Sequence, residues 1–241
     1  MSKFNLSQLL KNNAYPGRGI VAGMSRNGKS ALIAYFIMGR SVNSRNRIFE
    51  LFEGGMRTKA FDESKLSDPS LIIYNPYRAI KDTDIVTNGD QTDTIYDYMA
   101  KNGDDGFAFE KALYTREFEP DAPNYTPRIS AILDYDFNRR SFSYKLSILK
   151  SASDPTCCDR FFFGYSALAG RGHFIHTYLT DGNPIPSFYG EPEEVELPDT
   201  AEELSKIVWD SLNEDNKVSL FVREVPLAGG TPRQIIINKN K

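Results

Sequence analysis

Residues Gly23–Ser30, with the sequence GMSRNGKS, are compatible with two structures that exclude each other. As a pattern they are a full Walker A match, a loop whose backbone amides cradle the phosphates of a nucleotide. Alternatively, Asn27-Gly28 forms a two-residue type I′ turn, because both positions tolerate positive φ. The turn would then join strands at 18–24 and 31–38 in a β-hairpin.

The residues that follow favour the hairpin. A phosphate loop requires a helix that begins at Lys29-Ser30 and aims its amides at the phosphate. Residues 31–38, ALIAYFIM, are apolar at every position, and Gly39 interrupts them. Such a short run is typical of a strand buried on both faces, although periodicity alone leaves a buried helix open. We therefore expect a hairpin, with a P-loop nucleotide-binding protein that uses Lys29 and Ser30 as the alternative.

Strand signals dominate the rest of the chain. Runs rich in β-branched and aromatic residues predict further strands at 47–52, 70–74, 84–87, 129–135, 142–149, 161–166, 173–179, 217–223 and 234–238. Helices are expected at 5–12, 94–101, 107–117 and 201–213, the last with a capping box formed by Thr200 and Glu203. This order predicts an α+β fold of antiparallel sheets flanked by helices.

Charge and cysteine content exclude several classes of protein. The net charge of −3 argues against a sequence-independent nucleic-acid binder, which needs a basic excess. No apolar run is long enough to span a membrane, and the N-terminus lacks the apolar core of a signal peptide. Cys157 and Cys158 are neighbours, so they predict reduced thiols rather than a disulfide or metal site. We expect a cytoplasmic protein without membrane or nucleic-acid partners.

Three polar clusters could carry chemistry. Asn88–Ile95 follows a strand and leads into a helix, which Thr92 or Asp93 could cap. The same junction could instead present its amides, hydroxyls and carboxylate to a ligand. Glu119–Arg128 is a stiff, proline-rich connection that runs into a strand, and Tyr74–Tyr77 contains the turn-forming pair Asn-Pro.

Six short segments occur in an order that is informative as a set. They are Tyr15-Pro16-Gly17-Arg18, Arg26-Asn27, Gly39-Arg40-Ser41 followed by Arg45, Asn75-Pro76-Tyr77, Asn88-Gly89 with Thr92-Asp93-Thr94-Ile95, and Asn124 with Thr126-Pro127-Arg128-Ile129. This series resembles the archaeal-type IMP cyclohydrolase family. The resemblance covers residues 15 to 135 best, with a weaker echo at Thr177-Tyr178.

The sequence departs from the family pattern in four places. It has a longer N-terminal lead, an expanded segment around 52–70, extra sequence around 137–172, and Ile80 where an aromatic residue is expected. We therefore expect a lead segment at 1–14 and a single domain at 15–241 with a divergent insertion around 137–172.

The resemblance implies a four-layer α-β-β-α sandwich like that of N-terminal-nucleophile hydrolases, without N-terminal processing. It also implies a reaction: 5-formamidoimidazole-4-carboxamide ribonucleotide closes to inosine monophosphate and loses water. No electron is transferred, so the reaction needs no cofactor and no metal. The expected ligand is a purine ribonucleotide, and a homo-oligomer is left open.

The resemblance also suggests roles for individual residues. Arg45 is expected to stabilise negative charge on the formyl oxygen, and Glu119 to move protons with Asp93 behind it. The expected substrate-binding residues are Arg18, Arg26, Asn27, Asn75, Tyr77, Asn88, Thr92, Thr94, Asn124, Thr126 and Arg128.

Some assignments stay open at this point. The arginine that meets the phosphate could be Arg18, Arg26 or Arg128. His173 and His176 lie outside the matched segments and are interpreted as structural. Besides the P-loop alternative, a non-catalytic relative that binds purine nucleotides is a third hypothesis.

Overall fold

The described residues form two antiparallel β-sheets with helices packed on them. The computed structural model describes residues 5–65 and 73–241. The first sheet has the strand order β11-β10-β1-β2-β12-β13. Its strands are β1 (Arg18–Met24), β2 (Ser30–Met38), β10 (Arg171–His176), β11 (Glu193–Glu196), β12 (Lys217–Pro226) and β13 (Arg233–Asn238).

The second sheet has seven strands that follow one another in chain order. They are β3 (Arg47–Phe52), β4 (Gly55–Ala60), β5 (Tyr77–Ile80), β6 (Thr83–Thr87), β7 (Arg128–Asp136), β8 (Ser141–Ser151) and β9 (Cys158–Ser166). Every pairing between neighbouring strands in both sheets is antiparallel. The expectation of antiparallel sheets with few helices, an α+β fold, is confirmed.

Strand β2 lies at the centre of the first sheet and is buried along its whole length. Because side chains alternate along a strand, Ile33 and Tyr35 face the second sheet, whereas Leu32 and Phe36 face the opposite side. Both faces are apolar environments, which explains why residues 31–38 carry no polar side chain. The apolar run is therefore a strand, as the hairpin interpretation predicted.

The turn between β1 and β2 differs from the expected type. The loop contains four residues, Arg26–Lys29, and it is closed by a hydrogen bond from Ser25 N to Ser30 O of 2.9 Å. Gly28 has φ of +70°, but Asn27 has no positive φ, so the predicted two-residue type I′ turn is wrong. Asn27 instead accepts hydrogen bonds from Ser25 Oγ and Lys29 N. The P-loop alternative is wrong as well, because Ser30 begins a strand rather than a helix.

Helices cover the outer face of each sheet. Helices α1 (Leu6–Asn12) and α5 (Ala201–Ser211) pack on the first sheet through one apolar cluster. Helices α3 (Gln91–Asn102) and α4 (Ala108–Leu113) pack on the second sheet through another, and α2 (Val42–Arg45) is a single turn. No helix among the described residues is long and apolar enough to cross a membrane.

Several element boundaries differ from the prediction. Strands β4, β5 and β11 and helix α2 were not predicted. Helix α3 begins at Gln91, so Thr92 and Asp93 lie inside its first turn and do not cap it. Thr200 caps α5, but the Glu203 carboxylate accepts from Asp199 N, so only half of the expected capping box forms. The strand predicted at 70–74 lies mostly outside the described residues.

Gly23 and Lys29, both part of the Walker A match, give opposite predictions for stability. A Cβ on Gly23 would lie 2.3 Å from Arg171 O of β10, so Gly23→Ala must push two paired strands apart. We expect a loss of about 1–3 kcal/mol in the free energy of unfolding, as for other overpacked sites. Lys29 is exposed in the loop, so Lys29→Ala should change that free energy by less than about 0.5 kcal/mol.

Urea denaturation of the two variants measures both values. Equal, small losses would contradict the close approach of β1 and β10 as the reason for a glycine at position 23.

Candidate functional site

A cavity of about 250 Å³ opens at one end of the sandwich, where β1 begins, β2 ends and β3 begins. Its lining combines aromatic rings, hydroxyls, carboxylates and guanidinium groups. The lining residues are Tyr15, Arg18, Met38, Arg40, Ser41, Ser44, Arg47, Asp121, Asn124, Tyr178 and Ile185.

Two arginines reach this cavity from opposite sheets. Arg18 is the first residue of β1 and lies on the same face as Ile20, while Arg47 is the first residue of β3 and lies on the same face as Phe49. Strand alternation therefore directs both side chains into the space between the sheets. Arg47 is fully buried, and the Arg18 side chain is 11% exposed.

The two guanidinium groups keep hydrogen-bond donors without partners. Arg47 Nε donates to Ser44 O and Nη2 to Met38 O, at 2.8 and 3.3 Å. Arg47 Nη1 and Arg18 Nε are buried and have no partner among the described residues. A buried charged donor left unpaired is costly. Both nitrogens are therefore available to an anion or to a carbonyl oxygen in the cavity.

The pKa values of Arg18 and Arg47 reflect their burial and their closeness to each other. Burial lowers the pKa of Arg47, and repulsion by Arg18 lowers it further. Burial also acts to lower the pKa of Arg18, but Glu119 and the nearby tyrosines Tyr178, Tyr74 and Tyr15 together hold that pKa above its ordinary value. The inner wall of the cavity thus holds the two buried cations Arg18 and Arg47, and the Glu119 carboxyl group lies behind Arg18.

Glu119 is the buried carboxylate beside this pair. Its Oε2 lies 4.0 Å from Arg18 Nη2, and the residue is only 2% exposed. Burial raises the pKa of Glu119 above its ordinary range, and the attraction of Arg18 and Arg128 opposes that rise without cancelling it. A carboxyl group with a raised pKa holds a proton more readily than an ordinary one, which suits it to accept and return a proton in catalysis.

The loop that carries Glu119 is fixed by its own polar groups. Glu119 N donates to Thr126 O at 2.9 Å, and Asp121 accepts from both Thr126 N and Thr126 Oγ1. The Thr126 hydroxyl also contacts the Tyr178 hydroxyl. Asn124 Oδ1 accepts from Ile185 N at 3.1 Å. These bonds hold Asp121 and Asn124 on the wall of the cavity.

Tyrosines surround the two arginines. The Tyr35 and Tyr74 hydroxyls lie 2.8 Å apart in the core, and burial raises the pKa of Tyr35 well above its ordinary value. The Tyr15 and Tyr178 rings stack with centroids 5.8 Å apart. Burial raises the pKa of Tyr178 to about 12. The raised pKa values keep Tyr35 and Tyr178 neutral at physiological pH, so both provide hydroxyls without a competing negative charge.

The structure does not bring Arg45 to Glu119. Arg45 is exposed, its Nε donates to Gly39 O, and its Nη2 donates to Asn216 Oδ1. It lines a separate cavity with Lys217 and Lys239. Arg47, which sequence reasoning missed, occupies the place beside Arg18. The available signal was that Arg47 lies two residues before Phe49 in the strand predicted at 47–52, and therefore on the same face as Phe49.

Arg26 and Asn27 lie at the opposite end of β1 from Arg18. Six residue steps of about 3.3 Å separate the two ends of that strand, or roughly 20 Å. The Asn27 side chain is used inside the turn. The expected convergence of this turn with the other polar segments is not observed.

The Asn88–Thr94 junction does meet the loop before β7. Asn88 Nδ2 donates to Pro127 O, and its Oδ1 accepts from Ile129 N. Arg128 Nη1 donates to Asp90 at 2.7 Å and to Gln91 at 2.8 Å. Most of these polar groups are satisfied by one another, so they join the loop to helix α3 and thereby position Glu119.

The remaining predicted residues belong to neighbouring networks. Thr92 is buried with its hydroxyl 2.7 Å from Thr87 Oγ1, and Thr94 is half-buried on α3. Asp93 accepts from Asn75 Nδ2 and Arg78 Nη1.

Tyr77 belongs to a group of three residues in which Asp84 and Arg223 join the two sheets. Its hydroxyl donates to Asp84 at 2.9 Å, and Arg223 Nε donates to the same carboxylate at 2.8 Å.

The two histidines are not among the residues that line the cavity, and each stacks on an aromatic ring. His173 stacks on the Tyr165 ring at 3.6 Å, and His176 stacks on Phe174 at 4.7 Å. Among the described residues, no group of three or more His, Cys, Asp or Glu side chains is arranged to hold a metal ion.

Comparison with known proteins shows that this chain is similar in sequence to archaeal IMP cyclohydrolases. The chain is 30% identical to the IMP cyclohydrolase of Methanopyrus kandleri over 120 residues, which are 50% of this chain and 59% of that relative. It is 28% identical to the IMP cyclohydrolase of Methanococcus aeolicus over 120 residues, 50% of this chain and 58% of that one. The matched segment thus spans less than two thirds of either relative.

The profile of one family matches nearly the whole fold, from residue 15 to residue 226. This range begins just before Arg18 and ends with β12, so it includes the second sheet, the first sheet apart from β13, and the residues that line the cavity. The chain therefore belongs to the family described as IMP cyclohydrolase-like protein.

Proposed function

We propose that this protein is an IMP cyclohydrolase, which closes 5-formamidoimidazole-4-carboxamide ribonucleotide to inosine monophosphate and releases water. The observation that carries the proposal is a cavity lined by Arg18 and Arg47, with the buried Glu119 carboxyl group 4.0 Å from Arg18. Two buried guanidinium groups with unused donors and one carboxyl group of raised pKa are what such a ring closure needs.

The proposed reaction follows from this arrangement. The carboxamide nitrogen of the substrate attacks the formyl carbon, and negative charge develops on the formyl oxygen. Arg47 stabilises that charge through Nη1, with Arg18 beside it, and Glu119 takes the proton from the attacking nitrogen. The oxygen leaves as water after gaining this proton and the one from the formamido nitrogen. Because both reacting groups belong to one molecule, positioning provides much of the acceleration.

The substrate's phosphate is assigned to the mouth of the cavity. Arg128 is held by Asp90 and Gln91, and Arg26 lies at the far end of β1. Arg40 lines the cavity, its side chain is 38% exposed, and its guanidinium stacks 5.1 Å above the Tyr15 ring. We assign the phosphate to Arg40, which would exchange its present partner, Asp181, for it.

We infer that the fold is the four-layer sandwich of the N-terminal-nucleophile hydrolases. Helices on the outer faces of two packed antiparallel sheets support this inference. The proposed chemistry uses Arg47 and Glu119 from inside the chain, so it requires no processed N-terminal nucleophile.

The first test compares two arginines that are two residues apart. Arg47→Met removes the buried charge beside Glu119 and should lower turnover of the formamido nucleotide by about 10²–10³-fold. Arg45→Met, outside the cavity, should leave turnover within a few-fold of wild type. The rate of inosine monophosphate formation, followed by ultraviolet absorbance, measures both. If Arg45→Met lowered turnover more than Arg47→Met, Arg45 would be the residue that stabilises the charge on the formyl oxygen.

Glu119 provides a test by pH. The carboxylate form is required to accept the proton, so kcat/KM should rise as pH increases through the raised pKa of Glu119 and then level off. Glu119→Gln cannot accept a proton, so its turnover should fall by about 10²–10⁴-fold. The rise with pH should also disappear. A variant that keeps the wild-type pH profile would exclude Glu119 as the base.

The assignment of the phosphate to Arg40 is tested by Arg40→Ala, with Arg26→Ala as the control. Arg40→Ala should weaken binding of inosine monophosphate about tenfold, a loss of roughly 1.4 kcal/mol. The same variant should bind the nucleoside inosine as wild type does, because inosine has no phosphate. Arg26→Ala should leave both affinities unchanged. Isothermal titration calorimetry measures all four values, and an equal loss for nucleotide and nucleoside would contradict the assignment.

A further inference from the structure

The two sheets have four edge strands, and three of them are protected. Strand β11 has only four residues, three of which are glutamates. Strands β3 and β13 are joined at a corner, where Asn238 Oδ1 accepts from Phe49 N and Asn238 Nδ2 donates to Phe49 O. Short length, charge and covering contacts are the usual ways in which proteins prevent an edge from pairing with another chain.

The fourth edge, β9, is not short, and its two charged residues, Asp159 and Arg160, lie near one end. It is nine residues long, and within residues 5–65 and 73–241 it pairs with β8 alone. Its pairing with β8 runs without a register shift from Cys158 to Ser166, and the strand contains no proline and no lysine. Not one of its residues is buried, although Phe161, Phe162 and Phe163 lie at its centre.

Two features beside β9 are also unexplained by the chain's own packing. An apolar cavity of about 240 Å³ lies next to the strand, lined by Phe161, Phe163, Phe188 and Tyr189 among others. Tyr189 is 65% exposed there. A Cβ on Gly164 would meet no atom within 4 Å, so no neighbour requires a glycine at this position.

We propose that β9 pairs with β9 of a second copy of this chain, which joins the two seven-stranded sheets across a two-fold axis. The sequence of the strand is complementary to itself when Phe162 lies opposite its own copy. All nine residues are then paired, and Phe161 faces Phe163 of the partner subunit, the kind of aromatic cross-strand pair that stabilises sheets.

The charges also fit this register. Asp159 lies opposite Tyr165, and Arg160 lies opposite Gly164, so no like charges meet. The bare backbone at Gly164 leaves room for the longer side chain. A two-fold axis at this edge also brings the two apolar cavities next to the interface, where Tyr189 can be buried.

Sedimentation of the full chain is the first test. The wild-type protein is expected to sediment at twice its chain mass of 27.2 kDa. Phe161→Lys, on a side chain that is 42% exposed, should give a folded monomer. Phe61→Lys is the matched control, because Phe61 is 47% exposed and lies outside β9. Circular dichroism checks that both variants fold. A monomeric wild type, or a Phe161→Lys variant that stays dimeric, would overturn the proposal.

Cross-linking tests the register. In the proposed pairing Ser166 lies opposite Cys158 of the partner subunit, at a Cα separation of about 4.5–5.5 Å that a disulfide can span. Ser166→Cys should therefore form a covalent dimer under mild oxidation, and the wild type should not. The double variant Ser166→Cys/Cys158→Ser should stay uncross-linked. A dimer that forms no cross-link with Ser166→Cys would show that the two copies meet elsewhere.

Discussion

The burial of two arginines between the sheets is the constraint on which the rest of this site depends. Removing a charge from water costs several kcal/mol unless partners replace the lost hydration. Glu119 compensates Arg18 electrostatically at 4.0 Å, whereas the hydrogen bonds of Arg47 within residues 5–65 and 73–241 go to the carbonyls of Ser44 and Met38. The two charges are therefore not fully compensated. Arg47 Nη1 and Arg18 Nε remain as donors that an oxygen atom of a ligand can use. A fully satisfied pair would be more stable and would have nothing left with which to bind.

The need to compensate Arg18 explains why hydrogen bonds fix the conformation of the loop between α4 and β7. Glu119 compensates Arg18 only if the loop holds it in place. The bonds of Asp121 and Thr126 fix it from within, and those of Asn88 and Arg128 fix its end to helix α3. Asn88, Thr126 and Arg128, which the sequence analysis assigned to the substrate, thus hold the loop that carries Glu119.

The sequence predicted best what depends on local pattern. The apolar run at 31–38 was sufficient for β2, because a strand at the centre of a sandwich needs apolar residues on both faces. The choice between Arg45 and Arg47 was harder, although the strand at 47–52 was predicted correctly, because Arg45 belongs to helix α2, which no local pattern indicated. Likewise, the separation of Arg26 from Arg18 follows from the length of one strand. The convergence of Arg18, Arg47 and Glu119 comes from the packing of two sheets, which no local pattern encodes.

The segment that follows β10 links the cavity to the proposed dimer edge. Tyr178 and Ile185 line the site, and Phe188 and Tyr189 line the apolar cavity beside β9. The segment folds back on itself, with Leu179 N donating to Pro186 O and Phe188 N to Thr177 O. Burial of Tyr189 between two copies would therefore restrict the same turn that presents Ile185 to the substrate. Dimer formation and substrate binding would then stabilise one structure, because each orders a segment that the other needs.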